Sequence, residues 1–237
     1  MPPPPPPPPH LSFAQSAYHE LSLYSHIPAA RQPQILRVIS GITGMLPETT
    51  LEHHLVYKPK RPRRPGSNTE LYYLQLISIV PEEQKQEERE EKGGYDVKSQ
   101  KWRMRLEDFP EYGGKPVTSR NVFGAGFGEG DALGLVDSLG FMFAPTTTTS
   151  SLSWVLLFPP SHAVPNAQYG NPYPTSGLQP LDPARSWVLK AAIRVKSHQD
   201  LESVSTGHNE LKGFKELMRG ICDLEVVERL ALDTRVR

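Results

Sequence analysis

Apolar positions along this chain recur at two periods, and the switches between them outline a set of strands with a few helices. From Tyr18 to Tyr24, Leu21 and Leu23 alternate with Glu20 and Ser22, the pattern of a half-buried strand. After Pro28 turns the chain, Ile35, Leu36, Ile39, Ile42 and Leu46 fall on one helical face, with Pro33 in the first turn, where a missing N–H costs nothing. Gly41 and Gly44 weaken that helix, which predicts either a close backbone approach or an early end. Leu51 to Lys58 alternates again, with Leu51, His53, Leu55 and Tyr57 on one side. The stretch from Glu70 to Val80 is apolar on both faces, so both faces are expected to be covered. Trp102, Met104 and Leu106 alternate with Lys101, Arg103 and Arg105, which predicts a strand wet on one side.

Farther on, Pro116 to Phe123 is a shorter strand, and Asp131 caps a helix that turns Leu133, Val136, Leu139 and Met142 inward. Trp154 to Phe158 is a short apolar strand, and Trp187 to Lys196 alternates Val188, Lys190, Ala192 and Arg194 against Leu189, Ala191, Ile193 and Val195. Leu211, Phe214, Leu217, Met218 and Ile221 form an amphipathic helix, and Leu224 to Leu232 ends the fold as a strand or strand-bend. Loops, not crossover helices, join the strands. The fold class is therefore α+β, a predominantly antiparallel β-barrel or strongly curved sheet flanked by two to three helices.

Composition refines the domain boundaries. Hydrophobic residues make up 37% and prolines number 25, too many for one compact globule. The excess is local. Pro2 to Pro9 is locked into polyproline II, so residues 1–17 read as a disordered proline-rich tail that is either inert or a ligand for an aromatic groove. Residues 18–237 read as a single domain with disordered insertions near 59–69, 81–99 and 160–183. The first is led by Lys58-Pro-Lys-Arg-Pro-Arg-Arg-Pro65, a solvated loop, a nuclear localisation signal or an anion-binding loop; the second holds six glutamates between Glu82 and Glu91.

Lys plus Arg equals Asp plus Glu at 26 each, which argues against the positive field of a nucleic-acid or membrane binder. Cys222 is the only cysteine, so no intramolecular disulfide forms and a reducing compartment is expected. No run approaches the ~18 apolar residues of a membrane span.

Catalytic patterns are missing. Among the eight histidines none stands at metal-ligand spacing, and His53 and His54 point to opposite faces of one strand. Gly124, Gly126, Gly128 and Gly130 lack the spacing of a dinucleotide or phosphate loop and read as a turn. A strand with Glu-x-Glu-x-Lys would line a barrel with metal-binding carboxylates, and the nearest approach is Asp223-Leu-Glu225. The expected sheet has no ionisable cluster inside it, no catalytic residue, no cofactor and no metal.

Three stretches carry a resemblance: His19-Glu-Leu-Ser-Leu-Tyr24 leading to Pro28 and Arg31, Leu51-Glu-His-His-Leu-Val-Tyr-Lys58, and Asp223-Leu-Glu-Val-Val-Glu-Arg-Leu-Ala-Leu-Asp-Thr-Arg-Val236. With Glu70 to Leu76, Pro116 to Arg120 and Leu139-Gly-Phe141 in the same order, the chain resembles the subunit 18 family of the Mediator complex of RNA polymerase II transcription, in its fungal form. The resemblance implies a β-barrel flanked by helices, a nuclear location, no enzymatic activity, and a place in the Mediator head module beside subunits 20 and 8. That family's barrel is similar in shape to tunnel-type RNA triphosphatases, which makes a phosphohydrolase the alternative reading, with a proline-rich adaptor as another. After Phe141 the family pattern continues with a strand pair, whereas here Met142 to Leu152 is a short Pro/Thr/Ser tract. Either a hairpin is lost or the sequence is mis-joined there, so the barrel is expected to be incomplete after Phe141.

Overall fold

Alternating apolar positions become one antiparallel sheet, with every helix on the same side of it. The computed structural model describes residues 15–48, 50–61, 70–80, 97, 100–112, 114–127, 130–144, 157–158, 162–163, 179–180 and 182–236. The proline run, residues 62–69, most of the glutamate-rich insertion and Trp154 lie outside the described residues. Ten strands are described: β1 (Gln15–Ile27), β2 (Leu51–Pro59), β3 (Leu74–Val80), β4 (Arg103–Glu107), β5 (Thr118–Gly126), β6 (Phe141–Phe143), β7 (Leu157–Phe158), β8 (His162–Ala163), β9 (Gln179–Pro180) and β10 (Trp187–Val195). Eight of them form a sheet in the order β6-β2-β3-β4-β5-β1-β10-β7, and β8 with β9 makes a separate two-residue ladder. The helices are α1 (Gln32–Thr43), α2 (Ala132–Ser138) and α3 (Leu201–Met218).

Register decides which side chains share a face, because residues paired across antiparallel strands point the same way. Leu55 pairs with Leu76, Leu76 with Met104, and Leu21 with Ile193. This face carries both cores. Leu21, Leu23 and Leu189 pack with Ile35 and Ile39 of α1 and with Leu211 and Met218 of α3. Leu55, Tyr57, Leu74 and Leu76 pack with Leu133 and Val136 of α2.

The opposite face has no described helix over it, yet Glu20, Ile77, Arg120, Val122 and Lys190 on it are buried. Glu20, Lys190 and Arg120 are drawn together there in ion pairs. The sheet is open. β6 and β7 stand at its two ends and do not pair with each other among the described residues. The α+β class and the curved antiparallel sheet hold; closure into a barrel does not. The interruption falls between β6 and β7, where the sequence enters the Pro/Thr/Ser tract.

Several elements differ from their sequence pattern for local reasons. α1 stops at Gly44, which takes φ 68° as a left-handed cap, so Leu46 leaves the helical face and is 82% exposed. Gly41 is not a close approach, since nothing lies within 4 Å of a Cβ placed there. Gly124 and Gly126 belong to β5 instead of a turn. Asp131 caps α2 by accepting from the Gly134 N–H at 2.9 Å, but Leu139 and Met142 are exposed, Met142 because the chain has already become β6. On α3, Leu217 also faces solvent. Both faces of β3 are covered only at its middle, for Ile79 is half exposed. Val97, at the end of the glutamate-rich insertion, is buried and accepts from the Trp102 indole N–H at 2.9 Å.

Candidate functional site

The helix-free face of the sheet holds what periodicity hid. Glu20 on β1, Lys190 on β10 and Arg120 on β5 sit on one face because Glu20 pairs with Arg120 on one side and Arg194 on the other. Alternation read alone puts Glu20 and Lys190 on a wet side. Instead Glu20 is 0% exposed, Lys190 2% and Arg120 5%.

The groups form a chain of opposite charges. Lys190 Nζ lies 2.5 Å from Glu20 Oε1, and Arg120 reaches the same oxygen at 3.5 Å. The other arm of Arg120 pairs with Glu107 Oε2 at 2.5 Å, and Arg105 pairs with Glu107 on the adjacent β4 face. Lys190 Nζ also stands 5.9 Å from the Tyr24 ring centroid, and the Tyr24 hydroxyl accepts from Ser22 at 3.3 Å. An ionisable cluster therefore lies inside the sheet, contrary to the sequence expectation. Its members sit on four different strands, and no local pattern connects them.

Electrostatics fixes the charge states. Burial alone would raise the Glu20 carboxyl, but Lys190 and Arg120 outweigh it and hold the group below its ordinary value. Burial pulls Lys190 down to about 8, with Glu20 opposing and Arg120 adding to the fall. Arg120 is held above its ordinary value; burial would lower it, but Glu107, Tyr24 and Glu20 prevail. Each carboxylate is matched by a cation. Within the cluster Glu20 Oε2, Arg105 Nε and Arg120 Nε are buried with no hydrogen-bond partner among the described residues.

A second constellation crosses the end of the sheet. Beyond α3, Glu225 and Tyr24 exchange backbone hydrogen bonds of 2.8 Å. Arg229 donates to the Pro110 carbonyl, with its guanidinium 4.0 Å from the Phe109 ring centroid; Arg235 stands 3.8 Å from the same centroid. Thr234 donates its hydroxyl proton to the Glu107 carbonyl at 2.6 Å and accepts from the Tyr73 N–H at 2.8 Å. The sequence-predicted strand-bend is thus a run of single bridges and a 3-10 turn at Arg229–Leu232.

The residues weighed individually from sequence are scattered. His53 is buried edge-on to Trp102, 5.3 Å between centroids, and burial followed by the neighbouring His54 lowers it to about 4. His54 points the other way and lies 2.9 Å from Glu52. His19 meets Asn121 at 3.0 Å. Cys222 is buried, and that burial pushes its thiol up, away from nucleophile character. Asp223 and Glu225 are exposed on the outgoing segment. From the basic cluster, Lys60 pairs with Asp137 at 2.7 Å, while Pro62 to Pro65 lie outside the described residues. Among the described residues no three His, Cys, Asp or Glu side chains converge as a metal site.

Comparison with known proteins covers most of the chain. The family model described as Med18 protein matches residues 19–235, from β1 to the end of the C-terminal segment. A Mediator of RNA polymerase II transcription subunit 18 from Coccidioides immitis is 27% identical, covering 92% of this chain and 100% of that protein. The protein of that name from Yarrowia lipolytica is 24% identical, covering 92% and 99%. The Coccidioides alignment runs over 270 residues against 237 in this chain, so that relative carries stretches with no counterpart here. In fold the chain is similar to a chain in the structure of the Schizosaccharomyces pombe Mediator head module, with a TM-score of 0.66, 23% identity, and coverage of 88% and 98%.

Proposed function

This chain belongs to the family described as Med18 protein, and from that membership we propose that it is a non-catalytic subunit of the Mediator head module. In this reading it works in the nucleus, binds subunits 20 and 8, and links regulators to RNA polymerase II transcription by protein–protein contact. The observation that carries the reading is the family match over residues 19–235, a span that takes in both cores and the C-terminal segment.

The buried charge chain supports the absence of catalysis. A tunnel-type phosphohydrolase needs carboxylates free to hold a metal ion in an open cavity. Here Glu20 is fully buried and bonded to Lys190, and Glu107 is bonded to Arg120 and Arg105. Lys190 and Arg120 hold Glu20 Oε1, and Arg105 and Arg120 hold the two oxygens of Glu107, so three of the four carboxylate oxygens already meet a cation.

Two measurements test the proposal. A tagged copy purified from fungal nuclear extract is expected to bring down other Mediator subunits, 20 and 8 among them. Recovery as a monomer with no such subunit would refute the assembly role. Purified protein given inorganic triphosphate with magnesium or manganese is expected to release phosphate at the background rate. Turnover abolished by Glu107→Gln would refute the non-catalytic half.

A further inference from the structure

We propose that residues 223–236 act as an intramolecular clasp, tying the two hydrophobic cores together across a weak joint in the sheet. The inference stands apart from whichever assembly the chain joins.

The two cores share no buried residue. One lies under α1 and α3 against β1 and β10; the other lies under α2 against β2 and β3. Between them the sheet is continuous only through β4 and β5. In that ladder Arg103 faces Gly126 and Arg105 faces Gly124, so two of its five pairs have no side chain on the β5 side. Glycine inside a strand has greater conformational freedom to lose and nothing to pack, which makes this the softest ladder joining the cores.

The C-terminal segment bridges the same gap by a second route. Just ahead of it Arg31 donates to the Ile221 carbonyl at 2.7 Å, and its own start is fastened to the first half where Glu225 brackets Tyr24 of β1. Its end is fastened to the other half, at Glu107 of β4 and at Leu71 and Tyr73 leading into β3. Arg229 near its middle and Arg235 near its end both lie over Phe109, two residues past β4, and Arg235 adds an ion pair to Glu70 at 2.9 Å. Every fastening on the far side is a hydrogen bond, an ion pair or a cation–π contact. A clasp so built is released locally, without dismantling either core.

Hydrogen exchange on the full chain tests this. Phe109→Leu removes the shared ring while keeping an apolar side chain, and Arg229→Gln with Arg235→Gln removes the two cations. In either variant the amides of Leu74–Val80 and Arg103–Glu107 are expected to exchange about tenfold faster. Those of Leu21–Ile27 and Trp187–Val195 are expected to keep their rates. Gly207→Val, which strikes the α3 side, is the reference for the opposite pattern, with β1 and β10 accelerated first. Equal acceleration of all four strands in the Phe109 and Arg variants would overturn the clasp, and so would unchanged rates in both. Should the double Arg variant fail to fold, the Phe109→Leu pattern alone decides.

Discussion

Gly207 sits mid-helix in α3, where glycine normally weakens the structure, and the sheet explains its presence. A Cβ built there would stand 2.8 Å from Leu21 Cδ1 and 3.3 Å from Ile193 Cγ2, both from the sheet beneath. Adding a methyl group gains about 1 kcal/mol of helix propensity but overpacks a filled core, which costs about 1–3 kcal/mol. Gly207→Ala is therefore expected to lower the midpoint of urea unfolding. Gly213→Ala on the same helix, with nothing within 4 Å, is expected to raise it. His53 supplies a pH-dependent counterpart. Its folded value of about 4 lies below the ordinary 6.5, so the unfolded chain takes up the proton first as pH falls. Stability from the neutral buried ring is complete above about pH 6.5 and is lost between there and pH 4, roughly 3 kcal/mol in all. Unfolding midpoints at pH 7 and pH 4.5 should therefore differ less in His53→Leu than in the unsubstituted chain. At Glu20, replacement by Gln leaves Lys190 and Arg120 buried with one anion fewer. Removing one partner of a buried pair costs about 3–5 kcal/mol, so Glu20→Gln is expected to be among the most damaging single changes by urea titration.

At the scale of elements, periodicity reported what lay on the apolar face and misjudged the other. Leu51, His53, Leu55 and Tyr57 share a side as their spacing predicts, and Asp131 caps α2 as its position predicts. Asp131→Ala should cost about 1 kcal/mol, read from the same unfolding curves. Polar alternation, in contrast, is ambiguous. Glu20 and Lys190 alternate as solvent-facing residues do, yet curvature turns their face inward, and a one-dimensional pattern does not encode curvature. Helix ends failed for a similar reason. Leu46 and Met142 continue the helical spacing, but a left-handed Gly44 and an early start to β6 remove them from it. The C-terminal segment carried a sequence signature without a periodic one. Arg229, Thr234 and Arg235 work through single contacts to Pro110, Glu107, Tyr73 and Phe109, which leave no repeat to read.

For the whole molecule, the sheet divides the labour. One face binds the three helices and holds both cores, while the other encloses a chain of ion pairs in which three cations hold two carboxylates. What remains for other molecules is the outside. Among the described residues β6 and β7 end the sheet, and strand edges in soluble proteins tend to be covered by a partner or blunted. Family membership supplies the context, since relatives matching 92% of the chain are subunits of a transcription complex. Co-expression of this chain with Mediator subunits 20 and 8 of the same organism, followed by size exclusion with light scattering, tests the account most directly. It predicts a single species whose mass is the sum of one copy of each. Elution of this chain alone, at its own 26.5 kDa, with the other two elsewhere would contradict it.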